Sequence, residues 1–258
     1  MINFGVRMRF LFLAVFTLVL GYLNAQEQPD GYSNGTNLNV LYRNEASGRI
    51  FASTRGFGVS FRQAKHVTQK SRSYYEIELQ SLRHPKETKS VGAGSHKRRF
   101  VYGKVNSVML LRGAVGMQNI LFYKGDHKAV EVRYAYSIGP TFAFAKPYYV
   151  KIFKSQPGAL SENIDIKFDS ESYSPDSGTV QGRSDFVTGL NELKVMPGAT
   201  AKFNLSFEYA PYTNLIRALE TGVSVDYFPK AVPLMAENPS ENVFVTIHLG
   251  FVFGRKWF

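Results

Sequence analysis

Polar and apolar residues alternate most regularly at the end of the chain, across residues 243–258. The even-numbered positions are small, polar or mixed, with Thr246, His248 and Gly250 at their centre. The odd-numbered positions are apolar along most of the stretch: Val243, Val245, Ile247, Leu249, Phe251 and Phe253. A repeat of two is typical of a β-strand whose faces meet different surroundings. This strand is long enough to cross a membrane at a tilt, which takes about 9–11 residues.

The same alternation predicts seven further strands upstream. The clearest, residues 72–82, sets Tyr75, Ile77 and Leu79 against glutamate and glutamine. The first, residues 49–62, alternates irregularly and contains glycine, which favours a β-bulge. The eight predicted strands are 49–62, 72–82, 101–115, 129–139, 148–154, 199–209, 217–228 and 243–258. Because an even count returns both termini to one side of a membrane, we predict an all-β fold: a closed antiparallel transmembrane β-barrel of about eight strands.

The predicted connections alternate between the two ends of this barrel. Those at residues 140–147 and 211–216 are short, as expected of periplasmic turns. The longest, residues 156–198, is then one long extracellular loop. Residues 83–100 break the pattern, since this connection is long for a periplasmic turn. Either the strand count is wrong there or the connection has a role of its own.

The start of the chain, residues 1–25, predicts a secretory signal peptide that is removed. Arg7 and Arg9 form its basic region, residues 10–20 its apolar region, and Ala25 precedes the cleavage position. The apolar run is too short for a transmembrane helix, which needs about 20 residues. Two further segments follow, a flexible periplasmic segment at 26–47 and the barrel at 48–258. The chain contains no cysteine, which excludes disulfides and thiolate chemistry.

Charged residues on the inward parity decide whether the predicted barrel conducts. Six acids face five bases, so the interior is nearly neutral. An eight-stranded barrel is only wide enough inside for side chains, and buried charges must pair. We therefore predict a plugged lumen, with a narrow selective channel as the alternative. The predicted lumen network consists of Glu76, Glu78, Lys104, Arg112, Glu131, Arg133, Lys151, Lys202, Glu208, Glu220, Asp226 and His248.

The long connection 156–198 is a candidate docking surface for a protein partner. It is rich in acids, and Ser184 can cap a short helix that follows it. Such a helix places four apolar residues on one face: Phe186, Val187, Leu190 and Leu193. We expect the helix to dock a partner or to lie over the barrel mouth, and the alternative is a solvated surface loop.

The connection 83–100 is basic and carries Lys97, Arg98 and Arg99 in succession. A basic segment beside a membrane binds lipid phosphates or an acidic partner surface. The alternative is a solvated tether. Nucleic acid is not an expected partner in this compartment.

Catalytic and metal-binding patterns are weak in this sequence. A serine nucleophile needs an adjacent histidine as its base. His248 lies within a predicted strand, and its inward position beside Thr246 favours a hydrogen-bonding role in the core. Zinc prefers cysteine or closely spaced histidine, and the sequence offers neither. We therefore expect no cofactor, no metal and no enzymatic activity, with a lipid-modifying enzyme as an alternative.

Four stretches of the chain resemble a known group of proteins. They are Asn-Ala-Gln at 24–26, residues 139–148, residues 189–198, and Gly-Phe-Val-Phe-Gly-Arg-Lys-Trp at 250–257. These stretches are similar to those of small outer-membrane β-barrel proteins of the Bacteroidota. Similar barrels serve as accessory subunits of outer-membrane machines for barrel assembly or type 9 secretion.

The resemblance implies a place in the Gram-negative cell outer membrane, with both termini in the periplasm. It implies contact with outer-membrane lipids, including lipopolysaccharide, and insertion by the barrel-assembly machinery, for which Trp257 and Phe258 are the assembly signal. We therefore expect a non-enzymatic structural or accessory subunit of an outer-membrane protein complex, with a protein partner. The alternative is a surface adhesin or ligand binder that uses residues 156–198.

Overall fold

A computed structural model describes residues 43–68, 70–92, 98–123, 130–154, 162–167, 179–209, 214–236 and 240–258. Its strands are β1 (Asn44–Ser53), β2 (Gly56–His66), β3 (Ser71–Leu82), β4 (Lys89–Val91), β5 (Arg99–Val101), β6 (Asn106–Phe122), β7 (Glu131–Pro147), β8 (Tyr149–Lys154), β9 (Glu162–Lys167), β10 (Thr179–Arg183), β11 (Lys194–Glu208), β12 (Leu215–Val232) and β13 (Glu241–Trp257). Eight of them form a closed antiparallel barrel in the order β1-β13-β12-β11-β7-β6-β3-β2. The predicted fold class is confirmed. The predicted signal peptide lies outside the described residues, and β1 begins inside the predicted flexible segment 26–47.

The first predicted strand, residues 49–62, is in fact two strands. β1 and β2 are joined by a tight turn at residues 54–55. Gly56 has a φ of +147°, and a Cβ atom there would lie 2.3 Å from the carbonyl oxygen of Ser81. The position therefore needs glycine. The irregular alternation marks a reversal of the chain and not the predicted bulge.

The fifth predicted strand, residues 148–154, lies outside the barrel. It forms β8, which pairs with β9 and β10 in a separate three-stranded sheet. Its apolar side chains Val150 and Ile152 pack with Val180 and Phe100 instead of facing lipid. The count of eight barrel strands holds because the division of the first predicted strand offsets the loss of the fifth.

Strand β7 continues through the predicted turn at residues 140–147. Pro140 pairs with Ala199 on β11, while the ladder to β6 skips Gly139 and Pro140. Proline is tolerated within a strand at such an irregularity. The added reversal at residues 54–55 exchanges the ends of the connections that follow it relative to the prediction. Because the chain does not reverse at Pro140, the connections from residue 148 onward return to their predicted ends.

Both long connections lie at the same end of the barrel. The termini end holds Asn44, Trp257 and the connections 67–70, 123–130 and 209–214. The loop end holds the connections 54–55, 83–105, 148–193 and 233–240. The prediction that residues 83–100 and 156–198 lie at opposite ends is therefore wrong.

The two long connections fold together into a cap, defined here as β4, β5, β8, β9, β10 and residues 184–193. Strands β4 and β5 pair with each other, and Phe100 of β5 packs on the apolar core of β8 and β10. Arg98 donates a hydrogen bond to Asp185 at 2.7 Å. The predicted short helix is a single 3₁₀ turn, Leu190–Glu192. Across the described ranges, no helix is both long and apolar enough to span a membrane.

The outer wall of the barrel is apolar along its strands. Ile77, Ile138 and Ile247 are 59 %, 65 % and 56 % exposed. Their neighbours of opposite parity point inward and are buried, as Glu76 and Thr246 are. An apolar wall of this extent needs an apolar surrounding, which a lipid bilayer supplies.

Candidate functional site

Within the described residues, the middle of the lumen holds four carboxylates and four cations. Each of these side chains is at most 8 % exposed. Equal numbers of opposite charge satisfy the requirement that buried charges be compensated. The central cluster consists of Glu76, Glu78, Glu220, Asp226, Arg49, Arg62, Arg112 and Lys202.

Hydrogen bonds within the central cluster join strands that are not neighbours in the barrel. Arg49 on β1 donates to Glu76 on β3 at 3.0 Å. The same guanidinium also contacts Glu78 and Glu220. Lys202 on β11 donates to Glu76 at 3.1 Å and to Glu78 at 2.9 Å. The interior is therefore tied across its width, which closes the lumen.

All three guanidinium nitrogens of Arg112 donate hydrogen bonds within this cluster. Its side chain is wholly buried on β6 and donates to the two carboxylate oxygens of Asp226 on β12, at 2.8 and 2.6 Å. It also donates to Glu78 and Gln80 on β3. A guanidinium suits this place because its planar fork binds a carboxylate through two parallel hydrogen bonds.

His248 belongs to the central cluster and is 4 % exposed. Its Nε2 atom lies 3.2 Å from Arg49 and 3.1 Å from the side-chain oxygen of Asn204. Its ring centroid lies 5.7 Å from that of Phe51. Because neither polar neighbour is a nucleophile, the geometry gives this histidine a packing and hydrogen-bonding role.

A second balanced cluster closes the lumen at the termini end. Arg72 donates to Glu45 at 3.0 Å, and Lys256 donates to Glu208 at 2.8 Å. Arg133 contacts carboxylates from three strands. The cluster consists of Glu45, Glu131 and Glu208 with Arg72, Arg133 and Lys256.

An apolar layer closes the lumen at the loop end. Phe228 and Phe244 are fully buried there, with ring centroids 5.8 Å apart and an interplanar angle of 73°. Leu82 and Leu110 pack in the same cluster. The lumen is thus apolar below the cap and charged in the middle and at the termini end.

The predicted lumen network needs a correction at two of its positions. Lys104 lies at the loop end and donates to both carboxylate oxygens of Glu87, at 2.9 and 2.8 Å. Lys151 lies on β8 in the cap, 3.4 Å from Asp185. The structure places ten in the lumen: Glu76, Glu78, Arg112, Glu131, Arg133, Lys202, Glu208, Glu220, Asp226 and His248.

Five lumen charges in the part of the chain that the structure describes are missing from the sequence-based set. Arg49 and Arg62 have opposite parity within residues 49–62, so one continuous strand cannot point both inward. The turn at residues 54–55 resets the parity, and recognising that turn would have found both arginines. Glu45, Arg72 and Lys256 lie at strand ends, where alternation is weak evidence.

The candidate docking residues of the cap are spread over its surface. Phe186 and Val187 are 60 % and 58 % exposed, and Leu193 is 37 % exposed. Leu190 is half-buried in the 3₁₀ turn, which begins after Gly189 at a φ of +83°. Ser184 does not cap it: its hydroxyl is buried and donates to Asp165 at 2.7 Å.

The basic candidates lie in the connection 83–105, which contributes β4 and β5 to the cap. Arg98 pairs with Asp185, and Arg99 is exposed on β5. Lys97 lies outside the described residues. The hydrogen bond from Arg98 and a second one from Lys151 hold the pKa of Asp185 below its ordinary value.

A cleft of about 260 Å³ separates the cap from the barrel rim. Sequence reasoning missed it, since its lining comes from five separate segments and only the tertiary fold brings them together. Lys146 contacts the backbone carbonyl of Phe186, and its ammonium lies 4.7 Å from the centre of that ring. The polar and charged lining of the cleft includes Ser81, Arg83, Lys104, Ser107, Lys146, Arg183, Ser184 and Asp185.

Metal binding finds no support in the described part of the chain, where no cluster of histidine, aspartate and glutamate is arranged to hold an ion. The closed barrel, its apolar wall and its charge-filled lumen define the class of protein. The chain is a transmembrane β-barrel of the outer-membrane type.

No protein family and no curated protein matches the chain. Solved structures do. Neisserial surface protein A is 11 % identical, with a TM-score of 0.41, over 84 % of this chain and 97 % of that one. Ail, the attachment invasion locus protein of Yersinia pestis, is 6 % identical, with a TM-score of 0.36, over 84 % of this chain and all of that one. Ail in complex with the heparin analogue sucrose octasulfate gives the same identity and TM-score over 83 % of this chain and 97 % of that one.

Proposed function

We propose that this protein is a non-enzymatic accessory subunit of an outer-membrane protein complex, anchored by its barrel and docking a partner through its cap. One observation carries the proposal: a folded cap stands on a barrel whose lumen is closed. In this arrangement the loop end faces the cell exterior and both termini face the periplasm.

The closed lumen argues for anchoring and against transport. Paired charges fill the middle and the termini end, and an apolar layer that includes Phe228 and Phe244 fills the loop end. A solute would have to break compensated buried ion pairs in order to pass, which is energetically prohibitive. The barrel therefore serves as a membrane anchor.

The contacts of His248 argue against a lipid-modifying enzyme. A base must lie within hydrogen-bond reach of the group that it deprotonates. The ring of His248 is buried and its polar neighbours are Arg49 and Asn204. Substitution of His248 should therefore leave the lipid A profile of the cell unchanged.

The construction of the cap argues for a docking role. Its core of Val150, Ile152 and Val180 gives it a defined shape, and Phe186 and Val187 remain exposed on its surface. Exposed apolar and aromatic side chains on a rigid support are typical of protein-binding surfaces. The partner is a protein of a barrel-assembly or secretion machine.

The test is affinity purification from native outer membranes in mild detergent, with a tag in the segment 26–42. The variant lacks residues 151–182 and joins Val150 to Arg183 through Asn-Gly. These two residues face each other across β8 and β10, so a two-residue turn can connect them. The control carries an Asn-Gly insertion in the turn 67–70. We expect a stoichiometric partner with the native chain and the control, and none with the excised variant.

A solitary native barrel would contradict the accessory role and favour the second candidate, a surface ligand binder. The observation that favours this candidate is the outer edge of the β4–β5 hairpin, where Lys89 and Arg99 are exposed beside Val91, itself 63 % exposed. Cell-surface binding that Lys89→Gln with Arg99→Gln abolishes would then establish it.

A further inference from the structure

Three neighbouring strands lose their apolar outer face at the same height near the loop end. On β3 the outward series runs from Leu79 to Ser81, and Arg83 follows the strand. On β6, Ser107 is the outward residue beyond the apolar part, and it pairs across the ladder with Lys146 on β7. The inward neighbours Leu82, Val108 and Ala145 are buried, which fixes these parities. This change from apolar to polar outward side chains, called here the polar step, therefore lies on the lipid-facing wall, where the apolar belt ends.

The cations at this step are not neutralised within the described residues. Lys104 is paired with Glu87, and Asp185 is occupied by Arg98 and Lys151. No carboxylate among the described residues pairs with Arg83, Lys146 or Arg183. Arg83 instead lies over the ring of Phe57, 5.4 Å from its centre.

We propose that the cleft between cap and rim binds a phosphate group on the headgroup of a membrane lipid. Lys146 and Arg183 provide the charge, and the Ser107 hydroxyl lies in the same lining. Ammonium and guanidinium groups are the usual partners of phosphate oxygens.

The position of the cleft favours a lipid over a soluble anion. The cleft includes Met109, which is 41 % exposed on the apolar wall, so an acyl chain can descend directly from a bound headgroup. Phe186, 60 % exposed beside Lys146, adds apolar surface at the same level. A soluble anion would gain nothing from either side chain.

The test measures lipid binding to the purified full chain in neutral detergent by native mass spectrometry. The probes are lipid A with its phosphates, phosphatase-treated lipid A, and inorganic phosphate. The variant is Lys146→Gln with Arg183→Gln. The control, Arg217→Gln with Lys230→Gln, removes one arginine and one lysine that are exposed outside the cleft.

We expect the native chain to bind phosphorylated lipid A at least tenfold more tightly than the treated lipid. The double variant should lose about 25-fold, since each cation near a membrane surface contributes roughly fivefold. The control should stay within about twofold of the native chain. Arg183→Gln alone, at an exposed position, gives about fivefold and covers the case in which Lys146→Gln fails to fold.

Equal binding of the two lipids, or a double variant that binds like the native chain, would overturn the proposal. Displacement of lipid A by equimolar inorganic phosphate would also overturn it, because the lipid would then contribute nothing. The excision of residues 151–182 keeps Lys146 and Arg183. Failure of this site and failure of the docking role are therefore distinguishable.

Discussion

Replacement of Arg112 by methionine tests whether the central cluster acts as one compensated network. Arg112 is wholly buried, and it is the cation that pairs with Asp226 among the described residues. Methionine has a similar length and no charge, so the change removes the guanidinium without leaving a large cavity. Glu78 keeps Arg49 and Lys202 as partners, and Asp226 is left without a cation partner among the described residues.

The magnitude follows from the loss of one partner in a buried ion pair, which typically costs about 3–5 kcal/mol. We expect Arg112→Met to lower the free energy of unfolding by about 4 kcal/mol and Asp226→Asn by about 3 kcal/mol. The double variant restores the charge balance. Its loss should therefore fall about 2–3 kcal/mol short of the sum of the single losses, as expected for directly coupled residues.

The assay is urea unfolding in phospholipid vesicles, followed by the fluorescence of Trp257, the single tryptophan of the chain. Trp257 pairs with Asn44 where the first and last strands meet, so its signal reports barrel closure. Single and double variants that lose stability additively would refute the reasoning. Additivity would mean that Arg112 and Asp226 do not compensate each other.

Three further predictions concern the cap, the close approach of β6 and β7 at Gly139, and the chain end. Asp185→Asn should speed trypsin cleavage at Arg98 and Arg99 at neutral pH, since it removes the hydrogen bond from Arg98 that most lowers the pKa of Asp185. Because the pKa of Asp185 is lowered, its ion pair stabilises the folded cap fully above the unfolded pKa of about 3.9, and this stabilisation is lost as the pH falls through the folded pKa. The native cap should therefore become equally sensitive to proteolysis in acid, which pepsin can test. A native cap that is insensitive to acid would contradict this. Gly139→Ala should destabilise the barrel by about 1–3 kcal/mol in the same urea assay, because overpacking has that effect. The added Cβ atom would lie 1.9 Å from the Gly113 carbonyl oxygen. In the control, Gly113→Ala, the added Cβ atom meets nothing within 4 Å. Phe258 is 65 % exposed, and its deletion should reduce outer-membrane assembly in cells without changing the stability of the barrel in vesicles. Phe258→Tyr should retain assembly. Equal surface levels of the native chain and both variants would show that Phe258 is not part of the assembly signal.

Alternation predicts the barrel strands well where lipid and lumen differ most. Strands β3, β11, β12 and β13 coincide with predicted strands because their outward side chains are apolar and their inward ones polar. β8 shows the same period for another reason: Val150 and Ile152 face a small core within the cap. A repeat of two reports unlike faces and does not say whether the apolar face meets lipid or protein.

Turns are the features that the sequence leaves ambiguous. Gly56 marks a real reversal of the chain, whereas Pro140 lies inside β7 at a break in the ladder. Glycine and proline each suit both a turn and a strand irregularity. Only the pairing of distant strands decides between them. The same dependence on distant pairing explains why the cleft with Lys146 and Arg183 had no signature in the sequence.

The distribution of charge separates the structural from the recognition surfaces of this protein. Inside the barrel every described cluster is balanced, and Arg49 on β1 contacts residues of β3, β12 and β13. The seam between the first and last strands is thus closed by charge pairs as well as by the backbone ladder. Buried charges have to be compensated in this way, because each uncompensated one destabilises the fold. At the rim, solvent and lipid headgroups relax that requirement, so Arg83, Lys146 and Arg183 can remain without carboxylate partners among the described residues. Cations that the fold does not need are the ones available to bind an external anion.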